Sequence, residues 1–373
     1  MKQKPGSKWL WILIVLGIAL AVRMRAVNIL PIDIDEPKYL NVGLGYTRLI
    51  REGDIKGVAW YDENAEHPVL TKMLYGVSFF PLPPIDRIYQ KDLVYRAAVQ
   101  TSEARGWIIW GRYLTMIFGV LAAAVLAWMN PVAGLLLALQ TSAVRYSSQI
   151  GLEAMPALTA LLCVLAYEHW ISRQVEKFTR EGWGWLAFSA IMLGLTASSK
   201  YVYCLVGLVI MFHLLWQTWH KKWQFKQMVQ VLLLWGALSV LTFFVTDPYL
   251  WPRPISRLIE SVSYHFSFAS SEYVAKYAYP FWQPLVYLSR TAGKDAWYWI
   301  RIDGIIMFLA VFGVYPLRKK PLYLMWLIVS LLFLLIWKTK WPQYVMVTMV
   351  PYCLSAGEAV KMLWGLGKTR ISK

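Results

Sequence analysis

Ten stretches of this 373-residue chain are apolar over nearly the length a bilayer demands of a helix, which is about 20 residues. They run over about 9–29, 107–129, 131–147, 154–171, 183–199, 201–219, 228–246, 302–317, 321–337 and 343–366, the third, eighth and ninth being short. Composition agrees. Hydrophobic residues make up 58% and charged residues 16%, against about 25% charge in an average soluble domain, which excludes a disordered chain, a coiled coil and an ordinary soluble enzyme. With 21 Trp and 22 Tyr the chain has the rings that settle at many membrane interfaces. The expected fold is an all-α polytopic membrane protein of about ten transmembrane helices, with amphipathic juxtamembrane helices in its outer loops. Residues 1–373 are expected to form a single membrane-embedded domain. Lys2, Lys4 and Lys8 precede the first span, which is longer than a signal-peptide core and lacks a small-residue cleavage site, so it reads as a retained helix.

Charge orients the spans. The net charge of +17 would suggest nucleic acid in a soluble protein, but here it reads as topogenic charge and attraction to anionic membrane lipids, with no nucleic-acid partner. With a cytoplasmic N-terminus, the inner segments carry Lys2, Lys4, Lys8; Arg173, Lys177, Arg180; Lys221, Lys222, Lys226; Arg318, Lys319, Lys320; and Lys368, Arg370, Lys373. The opposite topology would put all of these outside. The acids give an independent reading. Asp33, Asp35, Glu36, Glu52, Asp54, Asp62, Glu63, Glu66, Asp86, Asp92 and Glu103 fall in the first outer loop, about 30–106. Asp247, Glu260, Glu272, Asp295 and Asp303 fall in or at the end of the second, about 247–301, and Glu153 stands at the outer end of the fourth span. Both termini are therefore expected in the cytoplasm, and any chemistry on the extracellular or periplasmic face. Cys163, Cys204 and Cys353 sit in apolar runs without metal or disulfide spacing and read as small core residues.

The outer loops carry helical patterning. Tyr39, Val42, Tyr46, Leu49 and Ile50 recur at helical spacing after Asp35, a suitable N-cap, with Pro37 in the first turn and Gly53 as a stop. This predicts an amphipathic helix lying on the outer leaflet. A second is expected from Pro68 to Phe80, and a third over about Ile255 to Phe268.

Four groups of residues have the chemistry for catalysis. In DIDEPKY, Asp33 to Tyr39, a carboxylate suits a general base that takes a proton from an acceptor hydroxyl. The adjacent Asp35 and Glu36 diverge on a helix and suit two separate jobs; the same acids also suit a helix N-terminus, where they complement the dipole. Glu66 and His67, held extended before Pro68, form a half-site for a divalent metal ion, or simply a surface loop ahead of a helix. Arg112 lies within an apolar run and Lys200 at the outer turn between two spans, where a cation needs a partner such as a lipid phosphate. Turn punctuation would explain Lys200, and snorkelling to the outer headgroups is the alternative for Arg112, which is harder to dismiss because apolar residues flank it on both sides. Glu153 starts a span on the same side. His213 and His169 read as core histidines, and Lys338 and Lys340 as interface anchors or phosphate contacts. Together these groups suit transfer from an anionic lipid-linked donor to a nucleophile arriving from outside.

The order of these motifs carries a resemblance: a short first span, an outer DE pair, a juxtamembrane helix, Glu66-His67-Pro68, then Arg112 seven residues before Gly119. Over about 30–205, and more loosely through DPYLWPRPISRLIES and KTKWPQY, the chain resembles membrane glycosyltransferases of the C superfamily, specifically glycosyltransferase family 39. That family contains the protein O-mannosyltransferases and is related to the aminoarabinose transferases of lipid A. The resemblance implies a polyprenyl-phosphate-linked sugar as donor, inverting transfer, and a protein, glycolipid or glycan acceptor. It matches Asp35 to the catalytic acid position with Glu36 as neighbour, Glu66 and His67 to the residues before the Pro motif, Arg112 to an arginine associated with donor phosphate, and Glu153 to an acid at the start of the fourth span. Two departures stand out: Val69 replaces a second proline, and Ser147 and Ser148 follow Tyr146 where relatives carry an arginine.

The expected mechanism uses Asp35 as base and Arg112 with Lys200 to neutralise the phosphate, a divalent ion at Glu66 and His67 sharing that role. A lipid-linked sugar flippase or transporter is the alternative. Acids in loops rather than at the midplane, and no visible repeat, favour the transferase. A non-catalytic scaffold comes third.

Overall fold

The computed structural model describes residues 5–85, 104–173, 180–220, 224–292 and 301–371. Lys2, Lys4, Lys177, Lys221, Lys222 and Lys373 of the charge reading, and Asp86, Asp92, Glu103 and Asp295 of the acids, lie outside these residues. The chain is built from helices α1 (Pro5–Ile29), α2 (Glu36–Arg51), α3 (Ile55–Trp60), α4 (Leu70–Ser78), α5 (Arg105–Met129), α6 (Pro131–Leu139), α7 (Thr141–Tyr146), α8 (Ala154–Arg173), α9 (Arg180–Ala197), α10 (Leu205–Trp219), α11 (Phe225–Thr246), α12 (Pro254–Ala269), α13 (Glu272–Ala275), α14 (Gln283–Ser289), α15 (Asp303–Leu317), α16 (Pro321–Ile336) and α17 (Met346–Ile371).

Among the described residues five helical stretches are long and apolar enough to cross a membrane: Lys8–Ile29, Arg105–Met129, Ala154–Arg173, Tyr201–Trp219 and Phe225–Thr246. Gly182–Ala197, Asp303–Leu317 and Pro321–Ile336 are shorter apolar helices. The chain is thus an integral membrane protein of the expected all-helical class. α8 lies along α9, α9 along α11, α1 along α5, and α15 along α17. α6 packs on α5 and α1, and there small residues (Ala122, Ala123 and Ala127 on α5, Ala133 and Ala138 on α6) let helix axes approach where lipid supplies no hydrophobic drive to association. Leu233, Val240 and Leu241 on α11, and Phe308 and Val311 on α15, point outward, as lipid-facing residues do.

The span expected over 131–147 is two helices, not one. At Gln140 the backbone turns extended, and the Gln140 side chain accepts from the Ala143 amide at 2.6 Å, starting α7 afresh. A break at membrane depth requires new partners for the freed backbone groups. Arg23, buried in α1, donates to the carbonyls of Ala138 (3.2 Å) and Leu137 (3.4 Å) and to Ser147 Oγ (2.7 Å). Asp303, at the start of α15, accepts from the Thr141 amide at 2.9 Å.

The juxtamembrane helices exist, but α2 is mostly covered by protein. Eleven of its 16 residues are buried, because it packs against α4. The axes close at Gly43 and Gly76, where a Cβ on Gly76 would stand 2.9 Å from Tyr46 Cβ and 3.0 Å from the Gly43 carbonyl oxygen. α2 stops as expected beside Gly53, whose φ of 69° is left-handed. The third such helix is α12.

Candidate active site

Arg112 is fully buried and has no free donor. Its Nε and Nη2 reach the Glu36 carboxylate at 2.7 and 2.6 Å. Nη1 donates to the carbonyls of Val27 (2.8 Å) and Leu30 (2.9 Å), and Nη2 also to that of Pro31 (3.0 Å). These contacts use all five guanidinium N–H groups. Glu36 is equally committed: it accepts the amides of Ile150 (2.7 Å) and Asp33 (2.8 Å) as well. The expected roles of Arg112 as phosphate ligand and Glu36 as catalytic partner do not fit this geometry, since a guanidinium so engaged has no donor left for an anion. The pair instead ties together the end of α1, the start of α2, α5 and the loop after α7.

This clamp holds Asp35, the residue before α2. Its carboxylate makes no capping hydrogen bond and remains half-buried. Burial, with Asp33 and Glu153 nearby, raises it to about 6, while Lys200 and Lys38 work in the other direction. Asp35 opens on a small pocket with Asp33, Tyr146, Gln149, Glu153 and Gln343. Asp33 is itself held by Arg145 at 3.0 Å. The sequence motifs did not single out Arg145, which stands one residue before Tyr146.

Lys200 and Glu153 form a buried ion pair in which Lys200 donates to the carboxylate. Burial disfavours the ammonium, yet Glu153, Tyr344 and Asp35 outweigh it and raise the pKa above the ordinary lysine value. Lys200 therefore stays charged. Its Nζ also lies 5.5 Å from the centre of the Tyr344 ring. Lys200 sits at the polar end of a cavity of about 380 Å³, with His67, His265 and Tyr344 beside it. Apart from Tyr201 and Cys204 the rest of that cavity is apolar, with Leu205 and Leu208 from α10, Val262 and Phe266 from α12, Phe333 from α16, and Trp337 after it.

The two imidazoles lie 5.0 Å apart. His265 Nε2 donates to the Glu66 carbonyl at 2.7 Å, which fixes its tautomer because a carbonyl only accepts. Burial depresses both pKa values, His67 the more strongly, so both rings are neutral at physiological pH. Glu66 is held by Lys38 at 2.6 Å and Asn64 at 2.7 Å; burial pushes its pKa up, but the Lys38 hydrogen bond and charge outweigh it and keep it below the ordinary value. Among the described residues no three His, Cys, Asp or Glu side chains gather to hold a metal ion. Glu66 Oε1, the oxygen the expected metal pair would offer beside His67, is engaged by Lys38 and Asn64. Beneath Glu66 and His67 lies Lys72, wholly buried and unforeseen, donating to the carbonyls of Asn64 and His67 at 2.7 Å each. Burial lowers its pKa and raises that of its neighbour Asp247, each to about 7.

The remaining candidates are structural. His213 Nδ1 pairs with the Tyr167 hydroxyl at 2.8 Å, and Lys340 caps α16 through the carbonyls of Leu334 (2.7 Å) and Leu335 (2.9 Å). Lys338 reaches Ser270 Oγ at 3.3 Å. The three cysteines are free thiols.

Comparison with known proteins follows the same lines. Among solved structures, ArnT from Cupriavidus metallidurans bound to undecaprenyl phosphate matches with a TM-score of 0.61 at 15% identity, over 94% of this chain and 60% of that one. The same protein in the apo state gives 0.58 at 17% identity, over 97% and 62%. The oligosaccharyltransferase AglB from Archaeoglobus fulgidus, in complex with an inhibitory peptide and a dolichol-phosphate, gives 0.57 at 11% identity, over 95% and 50%. At such identities the likeness is one of fold. The chain spans 60% of the length of that first ArnT structure. No curated protein matches it. The dolichyl-phosphate-mannose-protein mannosyltransferase family matches over residues 61–249, a segment that holds Glu66, His67, Arg112, Glu153 and Lys200. The family resemblance carried by the sequence motifs is borne out. With that match covering half of its length, this chain belongs to the dolichyl-phosphate-mannose-protein mannosyltransferase family.

Proposed function

We propose that this protein is a membrane glycosyltransferase that moves a sugar from a polyprenyl-phosphate donor to an acceptor hydroxyl on the non-cytoplasmic face, with inversion at the transferred carbon. One observation carries the reading. An apolar groove ends at a charged lysine, and a carboxylate poised near neutral pH lies within the field of that lysine.

The groove takes the start of the prenyl chain between α10, α12 and α16, leaving the phosphate at Lys200. Glu153 orients the ammonium, and the neutral imidazole of His67 adds a polar wall without competing charge. As the bond between the sugar carbon and the phosphate oxygen lengthens, negative charge grows on the phosphate and Lys200 stabilises it. The acceptor hydroxyl attacks from the opposite face and gives its proton to Asp35, whose pKa of about 6 leaves it ionised yet basic at neutral pH. One bond forms, one breaks, and the product phosphate leaves as a monoester that needs no proton. A single displacement with one carboxylate inverts the configuration, unlike the paired-carboxylate route of retaining glycosidases. Arg112 and Glu36 act by positioning, because Glu36 is covalently next to Asp35. The outward concentration of acids and the inward concentration of Lys and Arg support the non-cytoplasmic assignment.

Purified protein in nanodiscs, given a panel of polyprenyl-phosphate sugars, tests this by release of polyprenyl phosphate. Lys200→Met is expected to lower release by about 10²–10³-fold, the usual loss on removing one preorganised charge. Undiminished release would break the reading.

A further inference from the structure

Three features at the start of α4 work against stability. Lys72 is the third residue of α4 and 0% exposed. Its ammonium is therefore held away from water, and it stands in the first turn of a helix, where the dipole disfavours a cation. Asn64, eight residues earlier, holds φ at 62°, in the left-handed region that side chains disfavour and Asn tolerates better than most. The two residues meet directly. Lys72 Nζ donates to the carbonyls of Asn64 and His67 at 2.7 Å each, and the Asn64 carbonyl also accepts the His67 amide at 3.2 Å. Lys72 thus closes the turn over residues 64–67. Asp247, also wholly buried, supplies the opposite charge in its field.

The same turn carries α12. The Glu66 carbonyl accepts from Ser261 Oγ at 3.0 Å and from His265 Nε2 at 2.7 Å. Each of these anchors is next in sequence to a residue that lines the apolar cavity, Val262 and Phe266. His67, within the turn, lines that cavity together with Lys200. Just past the turn the Leu70 amide donates to the Ser198 carbonyl at 3.0 Å, two residues before Lys200. A shift of the turn therefore moves the α12 wall relative to the lysine. Were stability all that position 72 served, an apolar side chain at a regular helix start would serve it better, since a buried ion pair is often no more stable than well-packed apolar residues of its size. A buried cation and a left-handed backbone that meet at one turn mark a place held for its geometry.

We propose that Lys72 is a positioning residue for the donor: through the 64–67 turn it sets α12 against Lys200, and with it the width of the groove that takes the prenyl chain. This rests on the reading of the cavity as the donor groove, and the test separates the two. Full-length protein in nanodiscs is titrated calorimetrically with polyprenyl phosphate, which gives both the dissociation constant and the number of sites. Lys72→Met keeps the stem and loses the donors. It is expected to weaken binding about tenfold with the number of sites unchanged. A merely structural role would instead lower the number of sites and leave the dissociation constant alone. Ser261→Ala/His265→Phe, which cuts the turn from α12, is expected to weaken binding to a similar degree. Lys72→Met added to it should then change Kd by less than about twofold, because both act through one path. If Lys72→Met strands Asp247 and does not fold, Lys72→Met/Asp247→Asn, with neither charge, takes its place in the same cycle. The proposal fails if Kd is unchanged in the folded variant, if the two effects multiply, or if neither variant folds. Wild-type protein that does not bind polyprenyl phosphate would overturn the donor groove and this role together. Wild-type binding that Lys72→Met leaves intact would overturn the role alone.

Discussion

Asp35 sits between opposing fields. Asp33, Glu153 and burial push its proton on, and Lys200 and Lys38 pull it off, with burial the largest influence. Its pKa in the folded chain, about 6, is above the ordinary carboxylate value, so ionising it works against folding. The stability linked to this group is present below the ordinary carboxylate pKa and is lost as pH rises through about 6. Activity has the opposite sign, because a base must be ionised to accept a proton. Transfer is expected to rise with pH through about 6 and level above it, read as kcat/KM against pH with saturating donor. Asp35→Asn is expected to abolish that profile, to cut transfer by about 10²–10⁴-fold, and to raise the melting temperature at neutral pH. Loss of transfer with a lowered melting temperature would mark Asp35 as structural.

At the scale of elements, the Arg112–Glu36 pair is the joint that sets the start of α2 against α5. Both groups are buried and every donor is used, so removing one partner strands a charge in apolar surroundings. Arg112→Met is expected to destabilise the protein by about 3–5 kcal/mol in thermal unfolding, with Arg112→Lys rescuing little because an ammonium cannot reproduce the fork. Arg112→Met/Glu36→Leu is expected to recover part of that loss, since no unpaired charge remains. The pair also shows what a sequence can reveal. A cation inside an apolar run signals that a partner exists, but the signal is the same for a lipid phosphate and for a glutamate 76 positions away. The break at Gln140 was illegible for a related reason. One polar residue in an apolar run is compatible with a continuous helix, and its partners Arg23 and Asp303 are brought near only by packing. His265 and Tyr344 looked like ordinary members of aromatic stretches. Asp35, Glu153 and Lys200 were legible because ionisable residues flanking apolar spans are costly unless they meet, as Lys200 and Glu153 do.

Across the whole molecule, the long spans were readable from hydropathy alone, since hydropathy acts over about 20 residues rather than through single contacts, whereas 131–147 was not. The orientation proposed from the charge pattern is open to direct test. Asp35 follows α1 and Lys200 follows α9, whereas Arg318, Lys319 and Lys320 follow α15. Lys56 on α3 and Glu272 on α13 are exposed in the expected outer loops, and Lys319 between α15 and α16 in an expected inner segment. Single cysteines at these positions report the side directly. Cys163 and Cys353 are buried and Cys204 half-buried, so the native background is low. In intact cells a membrane-impermeant maleimide is expected to label Lys56→Cys and Glu272→Cys, and to reach Lys319→Cys only after permeabilisation. The reverse pattern would put Asp35 and Lys200 on the cytoplasmic side, and the acceptor would then have to come from the cytoplasm.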